Sequence, residues 1–178
     1  MPSTMAVETM LDARMRVRVR SRAWHAAGVA GFVAAFIVML AACAAAPPKP
    51  TVVAATLQAS ANVNPDARKR ASPLVVRIYE LKSSAAFDAA DFLSLYERDQ
   101  ATLAAEMGAR EEFMLRPGDN KPWEKTVGPD VRFIGVIAAF RDIERARWKA
   151  LVPVKANARN IVTIRADDIT ITGSATTQ

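Results

Sequence analysis

Three features of the chain predict a mainly β fold: a β-sandwich with a short helical insertion. Seven short runs of alternating apolar residues are separated by clusters rich in Pro, Gly, Asn and Asp, the pattern of strands joined by turns. One stretch, near residues 88–107, changes to helical spacing. One run, Val131 to Phe140, is apolar on both parities and so needs cover on both faces. An opposing sheet covers one face and the helical insertion the other.

Val52 to Val63 alternates, with Val53, Ala55, Leu57 and Ala59 on one side. Asn64 to Pro73 is a polar loop bracketed by Asn-Pro-Asp and Ser-Pro. Leu74 to Leu81 is the clearest strand, with Leu74, Val76 and Ile78 opposite Arg77 and Tyr79. Phe92, Leu95, Tyr96, Leu103 and Met107 then form a helical stripe that Gly108 stops. It is one helix, or two broken near Arg98 to Gln100, with Asp88 or Asp91 as the cap.

Glu112 to Leu115 reads as a strand ended by the turn cluster Arg-Pro-Gly-Asp, and Trp123 to Val127 as another. In Val131 to Phe140, Val131, Phe133, Ile137 and Ala139 face one way and Ile134, Val136, Ala138 and Phe140 the other. Arg141-Asp142-Ile143 breaks this strand. Trp148 to Val154 alternates again, and Pro153 marks an edge or an end. In Ile161 to Ile171 the apolar parity switches midway, which predicts a bulge or break near Asp167-Asp168. Gly173 to Gln178 reads as a polar tail.

Ahead of all this, Arg14, Arg16, Arg18, Arg20 and Arg22 precede an uncharged run from Ala26 to Ala42, which ends at the single cysteine of the chain. A cationic segment, an apolar segment and small residues at a cut make an export signal. Leu40-Ala41-Ala42-Cys43 resembles the lipobox of bacterial lipoproteins. That resemblance implies cleavage between Ala42 and Cys43, acylation of Cys43, and outer-membrane sorting, because Ala44 stands where inner-membrane retention generally needs aspartate. The competing reading is a retained anchor helix, since the uncharged residues 26–46 could span a bilayer of about 30 Å. Their wealth of alanine and glycine, and a cysteine at the expected cut, favour the lipoprotein. Met15 is an alternative start that would give the signal a more ordinary length.

The expected organisation is a leader at 1–42, a lipidated tether at 43–51, a sandwich at 52–172 and a tail at 173–178. The prolines of the tether favour an extended path of about 3.1 Å per residue. The leader carries half of the formal +6 charge, so the remainder makes no case for nucleic acid. The one histidine, His25, also lies in the leader. Beyond Cys43 the chain has neither imidazole nor thiol, which excludes Ser-His-Asp and Cys-His nucleophiles and His-ligated zinc. Only carboxylate, lysine or tyrosine chemistry is left, and no cofactor motif or metal-ligand spacing is visible. Glu111-Glu112 and Asp167-Asp168 are neighbours in strands, so each pair diverges and cannot converge on one substrate. No catalytic residue is expected.

Four strings then carry a resemblance: Leu74-Val-Val-Arg-Ile-Tyr-Glu-Leu-Lys82, Ala90-Asp-Phe-Leu-Ser-Leu-Tyr96, Arg110-Glu-Glu-Phe-Met-Leu-Arg-Pro-Gly118, and Ile134-Gly-Val-Ile-Ala-Ala-Phe-Arg-Asp142 running on to Trp148. In this order, after a lipobox, the chain resembles the outer-membrane lipoproteins of the type VI secretion system, the TssJ family (also VasD or SciN). Phe140 stands where the family more often has tyrosine, and Lys149 where arginine is common. The resemblance implies a transthyretin-like β-sandwich, no enzymatic activity, and attachment of the periplasmic domain of the inner-membrane protein TssM to the outer membrane. It assigns partner contact to Asn64, Pro65, Asp66, Ala67, Arg68, Lys69, Arg70, Ala71, Ser72 and Pro73, although Arg68-Lys69-Arg70 taken alone reads more readily as a solvated loop. Two rival classes are a small-ligand-binding sandwich, which needs a buried cavity, and a carboxylate-only enzyme, which needs convergent acids.

Overall fold

A computed structural model describes residues 48–177. The leader, Ala42, Cys43 and most of the tether lie outside the described residues. Among the described residues, eight strands and three short α-helices come in this order: β1 (Thr51–Ala59), β2 (Leu74–Leu81), α1 (Ala85–Ala89), α2 (Phe92–Glu97), α3 (Asp99–Leu103), β3 (Met107–Leu115), β4 (Asn120–Val127), β5 (Phe133–Ala138), β6 (Lys149–Pro153), β7 (Arg159–Asp167) and β8 (Thr170–Thr177). They form two four-stranded sheets, ordered β4-β1-β7-β8 and β3-β2-β5-β6. All pairings are antiparallel except β1 with β7. Among the described residues no helix is long and apolar enough to cross a membrane.

The alternation read from the sequence builds the core. Val53, Ala55, Leu57 and Ala59 of β1 meet Leu74, Val76 and Ile78 of β2, and Ile134, Val136 and Ala138 of β5, between the sheets. The second face of β5 is covered as its two-sided pattern demands. Ile137 and Phe133 pack with Tyr79, Leu81, Phe87, Leu95 and Leu103 beneath the helices. Gly135 lets them lie close, since a Cβ there would sit 2.8 Å from Leu81 and 2.9 Å from Phe87. The buried Tyr79 hydroxyl donates to the Leu95 carbonyl at 3.0 Å, which ties α2 to the sheet. Lys149 Nζ donates to the carbonyls of Phe87, Asp88 and Ala90 and so closes the end of α1.

Several boundaries differ from the sequence reading. The insertion holds three helices and starts at Ala85. Asp91 caps α2 by accepting from the Ser94 amide, whereas Asp88 lies inside α1. The expected break does fall at Arg98. Gly108 does not stop a helix: Met107 already begins β3, which pairs with β2 along its length. Val131 joins the inter-sheet core and not the helical one. The break near Asp167-Asp168 is a hairpin turn, with Asp168 at φ 50°. Residues 173–177, read as a tail, are therefore strand β8 paired to β7. Hydroxyl and small side chains on an outer strand give no apolar alternation to detect.

Candidate functional site

Strand direction sorts the loops into two poles. β1 starts at one pole, which also holds the helix-bearing segment after β2, the 128–132 turn and the 154–158 turn. At the opposite pole lie the β1–β2 loop, the 116–119 turn, the β5–β6 segment and the β7–β8 hairpin. The nine residues of β1 separate the poles by about 26 Å at the rise of a strand.

The predicted loop, Asn64 to Pro73, is more tightly built than its polarity suggests. Asn64 and Ser72 are buried, Pro65, Asp66 and Ala71 are half-buried, and Ala67, Arg68, Lys69, Arg70 and Pro73 are exposed. Its base is a small ladder, with the Ser72 amide donating to the Val63 carbonyl at 3.0 Å above a fully buried Val63. Its tip is wound around Asp66. One carboxylate oxygen accepts from the amides of Arg68 and Arg70 at 2.8 and 3.0 Å. The other accepts from Arg70 Nε at 2.8 Å. The backbone amide and then the guanidinium of Arg70 hold the Asp66 carboxyl below its usual range. Lys69 takes the left-handed conformation, φ 60°, that this winding requires.

Asn64 joins the loop to its neighbours. Its amide donates to the Asp168 carbonyl at 2.7 Å, its side-chain NH2 to the Pro73 carbonyl at 2.8 Å, and its side-chain oxygen accepts from the Arg141 amide at 2.8 Å. One side chain thus holds together both ends of the predicted loop and the β5–β6 segment, while its backbone adds the β7–β8 turn. Around it lies an open depression of about 720 Å³, lined by Pro65, Asp66 and Lys69 from one side and by 141–145 and 168–169 from the others. Arg145 is held by Asp142 at 2.5 Å and Arg70 by Asp66 at 2.7 Å. Among the described residues, Arg68, Lys69 and Arg141 have no carboxylate within ion-pair reach.

The sequence reading singled out 64–73 alone, and the structure brings 141–145 and 168–169 beside it. Their signal was present as the charge-rich break after β5 and the parity switch at Asp167-Asp168, but neither told which loop they would join. Of the two acid pairs, Glu111 and Glu112 diverge as read, whereas Asp168 lies in the β7–β8 turn and not in a strand. Glu111 turns between the sheets to Lys125, at 2.8 Å, and Glu112 turns outward to Arg77, at 2.6 Å. No group of three or more His, Cys, Asp or Glu side chains that could hold a metal ion occurs among the described residues. The arrangement presents a charged, concave surface made of three loops.

The family described as "Type VI secretion lipoprotein, VasD, EvfM, TssJ, VC_A0113" matches residues 51–169, β1 through the β7–β8 turn. The chain belongs to this family. The crystal structure of the T6SS lipoprotein TssJ1 from Pseudomonas aeruginosa is 35% identical, with a TM-score of 0.68 over 72% of this chain and 97% of that one. Serratia marcescens Lip, a membrane-bound component of the type VI secretion system, is 25% identical, with a TM-score of 0.64 over 68% of this chain and 94% of that one. A chain in the structure of the T6SS protein TssM C-terminal domain from EAEC is 25% identical, with a TM-score of 0.56 over 71% of this chain and 99% of that one. No curated protein matches the sequence.

Proposed function

We propose that this type VI secretion lipoprotein is an anchor: acylated Cys43 holds it at the periplasmic face of the outer membrane, and its loop pole grips the periplasmic domain of TssM. The observation that carries the reading is polarity. The chain enters the sandwich from the tether at one pole, and the loop cluster held by Asn64 stands at the other. A molecule built this way can hold a lipid at one end and a protein at the other without the two competing for space. The role is binding and needs no chemistry, in keeping with the diverging acids and the lack of histidine beyond the leader.

Exposed cations at the rim of such a contact steer approach and set specificity. Arg68 and Lys69 are the residues to reverse, because Arg70 is committed to Asp66 and its replacement would also unwind the loop. Arg68→Glu with Lys69→Glu is expected to weaken binding of the TssM periplasmic domain about ten-fold or more, chiefly through slower association. Its thermal melting should match that of the parent. Unchanged binding kinetics would move the contact off this loop. Intact-mass measurement of the protein from membranes tests the anchor: a retained leader or unmodified Cys43 would remove it.

A further inference from the structure

We propose that the tether pole is itself a lipid-headgroup face, on which Lys49, Arg132 and Lys155 rest against anionic phospholipid. The idea extends the reading of Cys43 as an acylated anchor, and its test separates the two.

The backbone brings these cations to one end of the sandwich. Lys49 is exposed two residues before β1. The Arg132 amide donates to the Leu81 carbonyl at 2.9 Å, and the Val154 amide to the Arg132 carbonyl at 2.9 Å, which sets Lys82, Arg132 and Lys155 side by side. The Val52 amide donates to the Ala158 carbonyl at 3.0 Å, so the 154–158 turn also borders the start of β1. Asn160 fixes Lys155 in place, accepting from its amide at 2.8 Å and donating to its carbonyl at 3.0 Å.

Charge balance singles out three of these groups. Lys82 is paired with Asp130 at 2.8 Å, and Arg159 with Glu124 at 2.7 Å. Among the described residues, no carboxylate lies within ion-pair reach of the exposed Lys49, Arg132 or Lys155. Arg132 NH1 donates to the Pro129 and Val131 carbonyls, which holds its charge at the turn without neutralising it. Only seven residues lie between Cys43 and the start of β1 at Thr51, so this pole is the part of the domain a tethering membrane meets first. Ammonium and guanidinium groups bind phosphate oxygens with charge-assisted hydrogen bonds, and each cation near an anionic lipid surface adds about five-fold in partitioning. Contact there would turn the loop pole away from the bilayer, toward a partner arriving from the other side.

The test uses the chain from residue 43 with Cys43→Ser, which keeps both sheets and every described residue. Co-sedimentation is measured with phosphatidylcholine vesicles and with vesicles containing phosphatidylglycerol. Binding should require phosphatidylglycerol, fall as salt rises, and drop about ten-fold or more in Lys49→Glu with Lys155→Glu. The opposite-pole pair Arg68→Glu with Lys69→Glu should stay within about two-fold of the parent. Equal binding to both vesicles, or equal loss in both charge reversals, would overturn the face. Intact mass of the native protein decides the anchor separately. An unacylated Cys43 with pole-specific binding would leave the headgroup face standing alone.

Discussion

The two poles of the sandwich are each pinned by one buried asparagine, and the pins differ in what they join: one turn and the strand beside it, or three separate loops. At the tether pole, Asn160 bonds the backbone of Lys155 and Ala158, its own turn, along with Val52 of the adjacent strand. At the loop pole, Asn64 reaches 77 residues along the chain to Arg141 and nine to Pro73. The first kind of pin makes one turn rigid. The second makes three loops into one surface, so a single position controls both its shape and its stability.

Removing the two pins separates these roles. Asn64→Ala deletes two hydrogen bonds and leaves the Arg141 amide and Pro73 carbonyl without their side-chain partner. It also places alanine at φ 51°, a conformation asparagine tolerates better. The expected cost is about 3 kcal/mol. Asn160→Ala should cost about 2 kcal/mol, because its backbone needs no left-handed conformation. Denaturant unfolding measures both. The sharper readout is binding to the TssM periplasmic domain under conditions where both variants are folded: Asn64→Ala should lose it and Asn160→Ala should keep it. Equal binding by the two would mean that Asn64 serves stability alone.

The same contrast explains what could be read from the sequence. Strands with one buried face announce themselves, and β2 runs from Leu74 to Leu81 as its alternation says. The two-sided apolarity of β5 correctly called for a helical cover. Met107 was misassigned because its side chain does pack under the helices while its backbone already pairs in β3. Periodicity records burial, and here burial continued across a change of backbone. β8 was legible only as far as Ile171, because beyond it an outer strand of Thr, Gly, Ser and Ala has no apolar face to report. At the loop pole, the existence of the 64–73 loop was legible and its assembly was not. Nothing near Asn64 specifies Arg141 or Asp168 as its partner; that pairing is set by which strands end at the same pole.

A second pair of residues sharpens the comparison through pH. Glu111 lies between the sheets, accepting from Lys125 Nζ at 2.8 Å and from Trp123 Nε1 at 2.9 Å, while Lys125 also pairs with buried Glu80 at 2.7 Å. The hydrogen bond from Lys125, opposed by burial and helped by Trp123, lowers the Glu111 carboxyl from its usual value. The hydrogen bond to Glu111 first, then that to Glu80, raises Lys125. A lowered acid contributes stability above its unfolded value, about 4.3, and loses it as pH falls through the folded one. A raised lysine keeps its contribution up to about pH 10.4 and loses it above, through its own folded value. Glu111→Gln should therefore lower the midpoint of unfolding at neutral pH and flatten its fall below about pH 4. An unchanged acid limb in that variant would mean that this inter-sheet link adds nothing to the pH dependence.

Asp66 has the same direction of shift with none of the same reach. Its carboxyl is lowered by the Arg70 amide first and the Arg70 guanidinium second, both within the loop tip. It touches neither sheet, so losing it should not loosen the sandwich. Its loss should instead free the backbone of Arg68 and Arg70 and release Lys69 from its left-handed turn. By the same linkage Asp66→Ala gives up a small contribution above the unfolded carboxyl value, and its melting is expected to change less than that of Glu111→Gln. Amide exchange at residues 66–70 should speed up, and affinity for the TssM periplasmic domain should fall, because a loop that must be ordered on binding gives up part of its contact energy. The variant also sets the sign of the charge argument. It adds net positive charge at the rim, so if long-range attraction alone governed binding, affinity would rise. A fall, with loop exchange accelerated and melting little changed, assigns the grip to the shape that Asp66 imposes on its neighbours.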